Sequence, residues 1–364
     1  MIFKLLLNNF RNYLSKTFNF NADIIVLFGN NGAGKTNILE AISLFKKGRG
    51  LRSIDLEDMV NNEEKDSKFT IYSELENHDE IDSCATSFDR VSNKRIFQIN
   101  QSKVSSIKNF PAIIWLTPKM DSLFTDTKSI RRKFLDKIVA DIDKNHSTRI
   151  NDYDKLLRER ILLLLQNKDE KWLEIIERRI AELGVAIAIA RNETINHLNK
   201  AIRFSNSDFI KSEIQIIGQI EELAQSKKSL EVEEFFINKL KSSRKLDKEV
   251  GRNLFGIHRS DFTAILLDKN IKANFCSTGE QKSILISLTL ARVKINSFFN
   301  LPKAILLLDE IVSHLDKKNK NSLFKELENL EVQAFLTGTN KEIFSDLTTN
   351  VSKRVKLLEI IDSY

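Results

Sequence analysis

The chain has 364 residues, 41% hydrophobic and 29% charged, with a formal net charge of +7, values that fit a globular protein of about two domains. No apolar run approaches the ~20 residues needed to span a bilayer, Met1 leads straight into alternating chain without a signal-peptide pattern, and Cys84 and Cys276 lie far apart with no CxxC spacing. Neither a disulfide framework nor a zinc site is indicated, no helical membrane span is expected, and a cytoplasmic protein is the expected reading. The positive balance is compatible with a nucleic-acid partner, and equally with the Lys-, Asn- and Ile-rich composition of the whole chain.

Taken in chain order, Ile2–Leu7 and Ile24–Phe28 read as strands, the second a fully apolar run of the kind buried in a central sheet. A glycine-rich loop follows at 29–36, then an amphipathic helix with Ile38, Ala41, Ile42 and Phe45 on one face. Strand-like stretches recur at 68–75 (KFTIYSEL), 94–100 (KRIFQIN) and 112–116 (AIIWL). From Lys128 to Val250 the chain reads almost wholly helical, without proline. Within it a helix is predicted over 170–203, with Leu173, Ile176, Ile180, Leu183 and Ile187 near helical spacing. No heptad pattern runs long enough for a coiled-coil stalk, so a helical arm packed on its neighbours is expected. After Phe255, α/β character returns: a helix over 280–294, a buried strand over 304–308 and a short strand over 334–336. The predicted architecture is α/β, with a sheet domain built from 1–117 and 251–364 and a helical lobe, 118–250, inserted between them.

Gly29, Asn30, Asn31, Gly32, Ala33, Gly34, Lys35 and Thr36 match G-x-x-x-x-G-K-[ST], between a strand and a helix. In such a loop backbone N–H groups wrap an anion at a helix N-terminus, the lysine reaches the β- and γ-phosphates, and the Thr36 hydroxyl ligates Mg²⁺. ATP and Mg²⁺ are therefore the expected cofactors. The apolar strand 304–308 ends in Asp309 and Glu310. Paired with the P-loop, Asp309 is expected to reach the Mg²⁺ sphere and Glu310 to act as general base toward water, with Lys35 the other candidate catalytic group.

Upstream of that strand, Cys276 precedes Ser277, Thr278, Gly279, Glu280 and Gln281 at the start of a helix. Ser277 with Glu280 three residues on is a capping-box pattern. It also resembles the Ser-x-Gly-x-Gln signature of ABC-type ATPases, which completes the γ-phosphate site of an opposite subunit. Asp316, in Ser313–Asp316, stands where those ATPases carry a D-loop. Thr339 stands where they usually carry a sensor histidine, and His314 is not assigned that role.

The order of P-loop, long insertion, signature, acidic strand and D-loop resembles the SMC and RecF branch of the ABC-type ATPases. The strings LNNFRNY (7–13), GNNGAGKTNILEAI (29–42), GRGLRS (48–53), SIRRKFLD (129–136), GIHRSDF (256–262), STGEQKSILISLTLA (277–291), LLLDEIVSHLD (306–316) and FLTGT (335–339) resemble the RecF family across nearly the whole chain. That resemblance implies an ABC-type P-loop ATPase head with a central mixed sheet and an inserted helical arm. It implies an ATP-dependent homodimer with weak, DNA-stimulated ATPase activity that binds single-stranded, gapped or junction DNA. With RecO and RecR it would help load RecA and support the SOS response, with no membrane partner. Arg49, Arg52, Arg131 and Arg132 are candidates for phosphate-backbone contacts, or for solvated surface and intramolecular pairing. The competing reading is an ATPase subunit of a transporter-like or SMC-like complex.

Overall fold

The computed structural model describes residues 1–364 except 62–66, 78–79, 106, 108–109, 167–169, 206–208, 300, 302, 351 and 362–364; the side chains of 77, 80, 81, 314 and 348–350 also lie outside the described set, among them that of His314. The strands are β1 (Ile2–Phe10), β2 (Tyr13–Asn19), β3 (Ile24–Phe28), β4 (Lys68–Asn77), β5 (Glu80–Asp89), β6 (Lys94–Ile99), β7 (Ser102–Val104), β8 (Ile113–Leu116), β9 (Ser212–Ile217), β10 (Asp261–Leu266), β11 (Ile271–Lys272), β12 (Ala304–Leu308), β13 (Val332–Gly338) and β14 (Val355–Glu359). The helices are α1 (Lys35–Ser43), α2 (Lys128–Ile142), α3 (His146–Gln166), α4 (Glu170–Arg203), α5 (Gln219–Ser226), α6 (Ser229–Val250), α7 (Thr278–Phe298), α8 (Lys317–Asn329) and α9 (Ser345–Asn350).

Two compact units result. The first holds Met1–Met120, Asn206–Phe209 and Asn296–Tyr364; the second holds Asp121–Ser205 and Ile210–Ile295. In the first unit parallel and antiparallel strands segregate into separate sheets. A six-stranded sheet runs β2-β1-β4-β5-β6-β7 with antiparallel pairings, and a five-stranded sheet runs β14-β3-β13-β12-β8 with parallel ones. The runs IIVLF and AILLL are apolar because such parallel strands are covered on both faces. Ile38, Ile42 and Phe45 join one buried cluster with Ile25, Leu27 and Phe335, which fixes the helix after the P-loop against its strand. Arg95 ties down the far end of α1: its guanidinium donates to the carbonyls of Leu44 and Gly48 and stacks over Phe97 at 4.5 Å.

In the second unit α4 spans Glu170–Arg203, the predicted range, and Leu173, Ile176, Ile180, Leu183 and Ile187 are all buried. At 34 residues it is about 50 Å long at 1.5 Å per residue. It packs as an arm on its neighbours: Ile176, Ile180 and Ile187 share a core with Tyr153 and Leu157 of α3 and Val232, Phe236 and Leu240 of α6. Gly184 lets α6 approach, since a Cβ there would lie 2.4 Å from the Phe236 ring. The prediction of an almost wholly helical 128–250 is corrected by β9, whose residues SEIQII alternate in burial and pair antiparallel with β10, Ser212 opposite Leu266 and Ile217 opposite Asp261. That six-residue period-2 run is too short to stand out within helical composition. Through this pairing β10, in residues expected to belong to the sheet domain, clusters with the helical unit.

Buried charge also holds the second unit together. Arg160 is fully buried and donates to Glu177 at 2.9 Å, Asp247 at 2.7 Å, Asn253 at 2.7 Å and the Leu240 carbonyl at 2.7 Å. Arg191 does the same for Asp136 and Glu221. Every strong donor thus meets an acceptor, the condition under which a buried guanidinium is tolerated.

Candidate functional site

The P-loop leaves the C-terminal end of β3, which lies between β13 and β14 with Phe28 opposite Gly338 and Glu359. Two glycines are required by geometry. Gly29 has φ 145°, and a Cβ there would sit 2.3 Å from the Ile360 carbonyl oxygen; Gly34 has φ 100°, and its Cβ would meet the Tyr13 hydroxyl at 2.5 Å. The loop passes directly into α1, whose first N–H groups lack helical partners. Lys35 is buried and its Nζ donates to the carbonyls of Gly29 and Asn30, each at 2.7 Å. The loop therefore closes around a fixed cation at a helix N-terminus, an arrangement suited to polyphosphate.

The register of the parallel sheet brings the acidic strand end to the same place. Leu308 pairs with Leu336 on one side and Leu116 on the other, so Asp309 emerges beside Thr337, its N–H bonded to the Leu116 carbonyl at 3.0 Å. Thr36 donates its hydroxyl to Asp309 Oδ1 at 2.9 Å, and Thr337 donates to the same oxygen at 3.0 Å. Burial raises the Asp309 carboxyl above the usual carboxylate value, and the two hydroxyls and the Arg52 charge act in the opposite sense. Glu310, next in the chain, has φ 55°, a left-handed conformation that costs an L-residue roughly 1–2 kcal/mol. Its N–H donates to Thr337 Oγ1 at 2.7 Å.

These oxygens test the fit to ATP and Mg²⁺. The Thr36 hydroxyl and the Asp309 carboxylate converge at the end of the P-loop, hard ligands of the kind Mg²⁺ takes together with phosphate oxygens and water. Among the described residues no group of three or more His, Cys, Asp or Glu gathers as an all-protein cage. The donor set suits an ion brought in with a nucleotide.

Lys35, Thr36, Asp309 and Glu310 thus come together in the first unit. Asp316 caps α8 there, accepting from Asn319 N–H at 2.8 Å, and Thr339 is exposed just beyond β13. Sequence reasoning passed over Asn12, which accepts from the Asn37 amide at 2.8 Å next to the loop, and Arg11, which pairs with the fully buried Glu40 at 2.9 Å. Both fall in the string LNNFRNY, which carries no local motif of its own.

Ser277–Gln281 lies in the second unit, where the capping box forms reciprocally. Ser277 N–H donates to Glu280 Oε2 at 2.8 Å and Glu280 N–H to Ser277 Oγ at 3.3 Å. Hydrogen bonds from Lys269 and then Ser277 hold the Glu280 carboxyl down to about 2. Ser277, Thr278 and Gly279 are exposed, and a Cβ on Gly279 would meet nothing within 4 Å. Packing within this chain therefore does not require a glycine there. The four arginines considered for DNA contact all have internal partners. Arg131 grips both oxygens of Asp261 at 2.8 and 2.9 Å, Arg132 donates to the Ser260 carbonyl at 2.6 Å, Arg49 faces Asp55 at 3.1 Å, and Arg52 donates to Asn37 at 3.3 Å.

A P-loop opening α1, an acidic strand two places away in a parallel sheet and a capped Ser-Thr-Gly-Glu-Gln helix define an ABC-type ATPase head. A family model described as the RecF/RecN/SMC N-terminal domain matches residues 1–110. The DNA replication and repair protein RecF of Rickettsia typhi is 40% identical over 363 residues, 97% of each chain. A solved structure of the recombination mediator protein RecF with ATP, from the RecFOR pathway, superposes with a TM-score of 0.83 at 25% identity, covering 100% of this chain and 98% of that one. The Smc head domain of Pyrococcus furiosus gives 0.55 at 16% identity, covering 99% and 94%, a likeness of fold alone. The chain belongs to the RecF family. Among the described residues, no helix is long and apolar enough to cross a membrane.

Proposed function

We propose that this chain is a cytoplasmic, ATP-dependent DNA-binding protein of recombinational repair and replication-fork maintenance. It dimerises on ATP, binds single-stranded, gapped or junction DNA, and with RecO- and RecR-type partners helps load RecA and sustain the SOS response. The observation that carries the nucleotide chemistry is the Thr36–Asp309 hydrogen bond of 2.9 Å, which joins the P-loop to the acidic strand. The DNA and partner roles rest on the family, whose curated members are named as DNA replication and repair proteins and whose ATP-bound structure is placed in the RecFOR pathway.

In this reading Gly29–Thr36 binds the triphosphate through backbone N–H groups and Lys35, while Thr36 and Asp309 hold Mg²⁺. Bound ATP and Mg²⁺ supply the scissile phosphoanhydride and the charge that neutralises it. Glu310 Oε accepts a proton from the attacking water. Ser277 and Gly279 of a second copy complete the γ-phosphate site, and the open space over Gly279 supports a close approach there. Nucleotide binding then shifts an association equilibrium through its higher affinity for the paired state. In functional terms the head comprises 1–117 and 251–364, and the arm 118–250.

The test is binding of gapped and fully duplex DNA across a salt series, with and without ATP, for the natural chain and Lys35→Met. ATP should tighten binding to gapped DNA, with a steep salt dependence from released counterions. Lys35→Met, which removes the cation held by Gly29 and Asn30, should lose ATP binding and the ATP-dependent gain together. A shallow salt slope, or the same affinity with and without ATP, would contradict the proposal.

A further inference from the structure

We infer that Thr337 is the positioning residue that sets the two acidic groups of the site in register, an inference that rests on the nucleotide-site reading above. A threonine hydroxyl carries one hydrogen and two lone pairs. Here its hydrogen goes to Asp309 Oδ1 at 3.0 Å, while a lone pair accepts the Glu310 N–H at 2.7 Å. The side chain is fully buried at the end of β13, beside Asp309 because Leu336 pairs with Leu308. One oxygen atom therefore controls two things at once. With Thr36 it fixes the rotation of the Asp309 carboxylate, since both hydroxyls converge on Oδ1. It also pins the Glu310 backbone, which turns through φ 55° at the point where the strand must end and the side chain be presented. A β-branched residue suits the strand, but valine would suit it equally well; the hydroxyl is the part that packing does not explain.

Loss of that hydroxyl should loosen Asp309 and leave the Glu310 N–H without its partner. The Lys35 bonds to Gly29 and Asn30 do not involve Thr337 and should persist. Nucleotide held by the loop alone should therefore be spared, while the contribution of Mg²⁺ and the hydrolytic step are lost.

The experiment compares the full chain with Thr337→Val, nearly isosteric but without the hydroxyl, and Thr337→Ser, which keeps it. Binding of a fluorescent ATP analogue is titrated in EDTA and again in Mg²⁺, and turnover is measured at saturating ATP. Thr337→Val should match the natural chain in EDTA, lose about 10-fold of the Mg²⁺-dependent gain in affinity, and turn over about 10- to 100-fold more slowly, the range typical of outer-shell partners of metal ligands. Thr337→Ser should stay close to the natural chain on every readout. Thr337→Ala serves the same comparison if the valine variant does not fold. A hydroxyl-free variant that keeps both the Mg²⁺ gain and the turnover, or a serine variant as impaired as valine, overturns the inference. A natural chain that binds no ATP overturns the nucleotide-site reading itself.

Discussion

Glu310→Gln is expected to leave ATP binding intact and to lower the rate of hydrolysis by about 10²- to 10⁴-fold, the usual worth of a positioned general base. The substitution keeps the size and hydrogen-bonding reach of the side chain but removes its capacity to take a proton from water. The backbone N–H bond to Thr337 survives because it does not depend on the side chain. Neither Lys35 nor the Thr36–Asp309 bond is touched, so the binding constant for ATP should stay within a few-fold of the natural value. Single-turnover hydrolysis beside an equilibrium titration separates the two effects. A variant that hydrolyses at the natural rate would remove Glu310 from the mechanism.

Arg160→Leu is expected to destabilise the helical unit by about 3–5 kcal/mol, the cost of leaving buried charge without its partner. Glu177 and Asp247 are both fully buried and both bonded to the Arg160 guanidinium. Each keeps some support: Arg244 reaches Glu177 at 2.6 Å, and Ser243 reaches Asp247 at 2.6 Å. Thermal unfolding followed by circular dichroism should show a melting transition lower by on the order of 10 °C. Adding Glu177→Gln and Asp247→Asn, which remove the stranded charges, should recover part of the loss. No recovery would show that the cost arises from packing rather than from unpaired charge.

Much of the sheet and of the site could be read in the residues, for a physical reason in each case. IIVLF and AILLL are uninterrupted apolar runs, so their limits as strands are sharp, and the helix Glu170–Arg203 shows its buried stripe over many turns. Lys35, Thr36, Asp309 and Glu310 sit inside short motifs whose spacing already encodes the turn geometry they need. What escaped depends on pairings between distant residues. β9 exists because β10 lies beside it, about fifty residues further along the chain. Thr337 acquires its two bonds only through the β12–β13 register. For Arg131 and Arg132 the choice between a phosphate contact and internal pairing stays open in the residues, because their partners, Asp261 and the Ser260 carbonyl, come from a separate stretch of chain. A sequence displays charge and period locally; it does not display which distant group satisfies them.

The P-loop as half of a composite site is the central claim, and light scattering of the purified chain with and without ATP and Mg²⁺ tests it most directly. The account predicts a monomer without nucleotide, a dimer with ATP and Mg²⁺, and a dimer that persists longest in Glu310→Gln. The same monomer under all conditions, in the natural chain and in that variant, would contradict it.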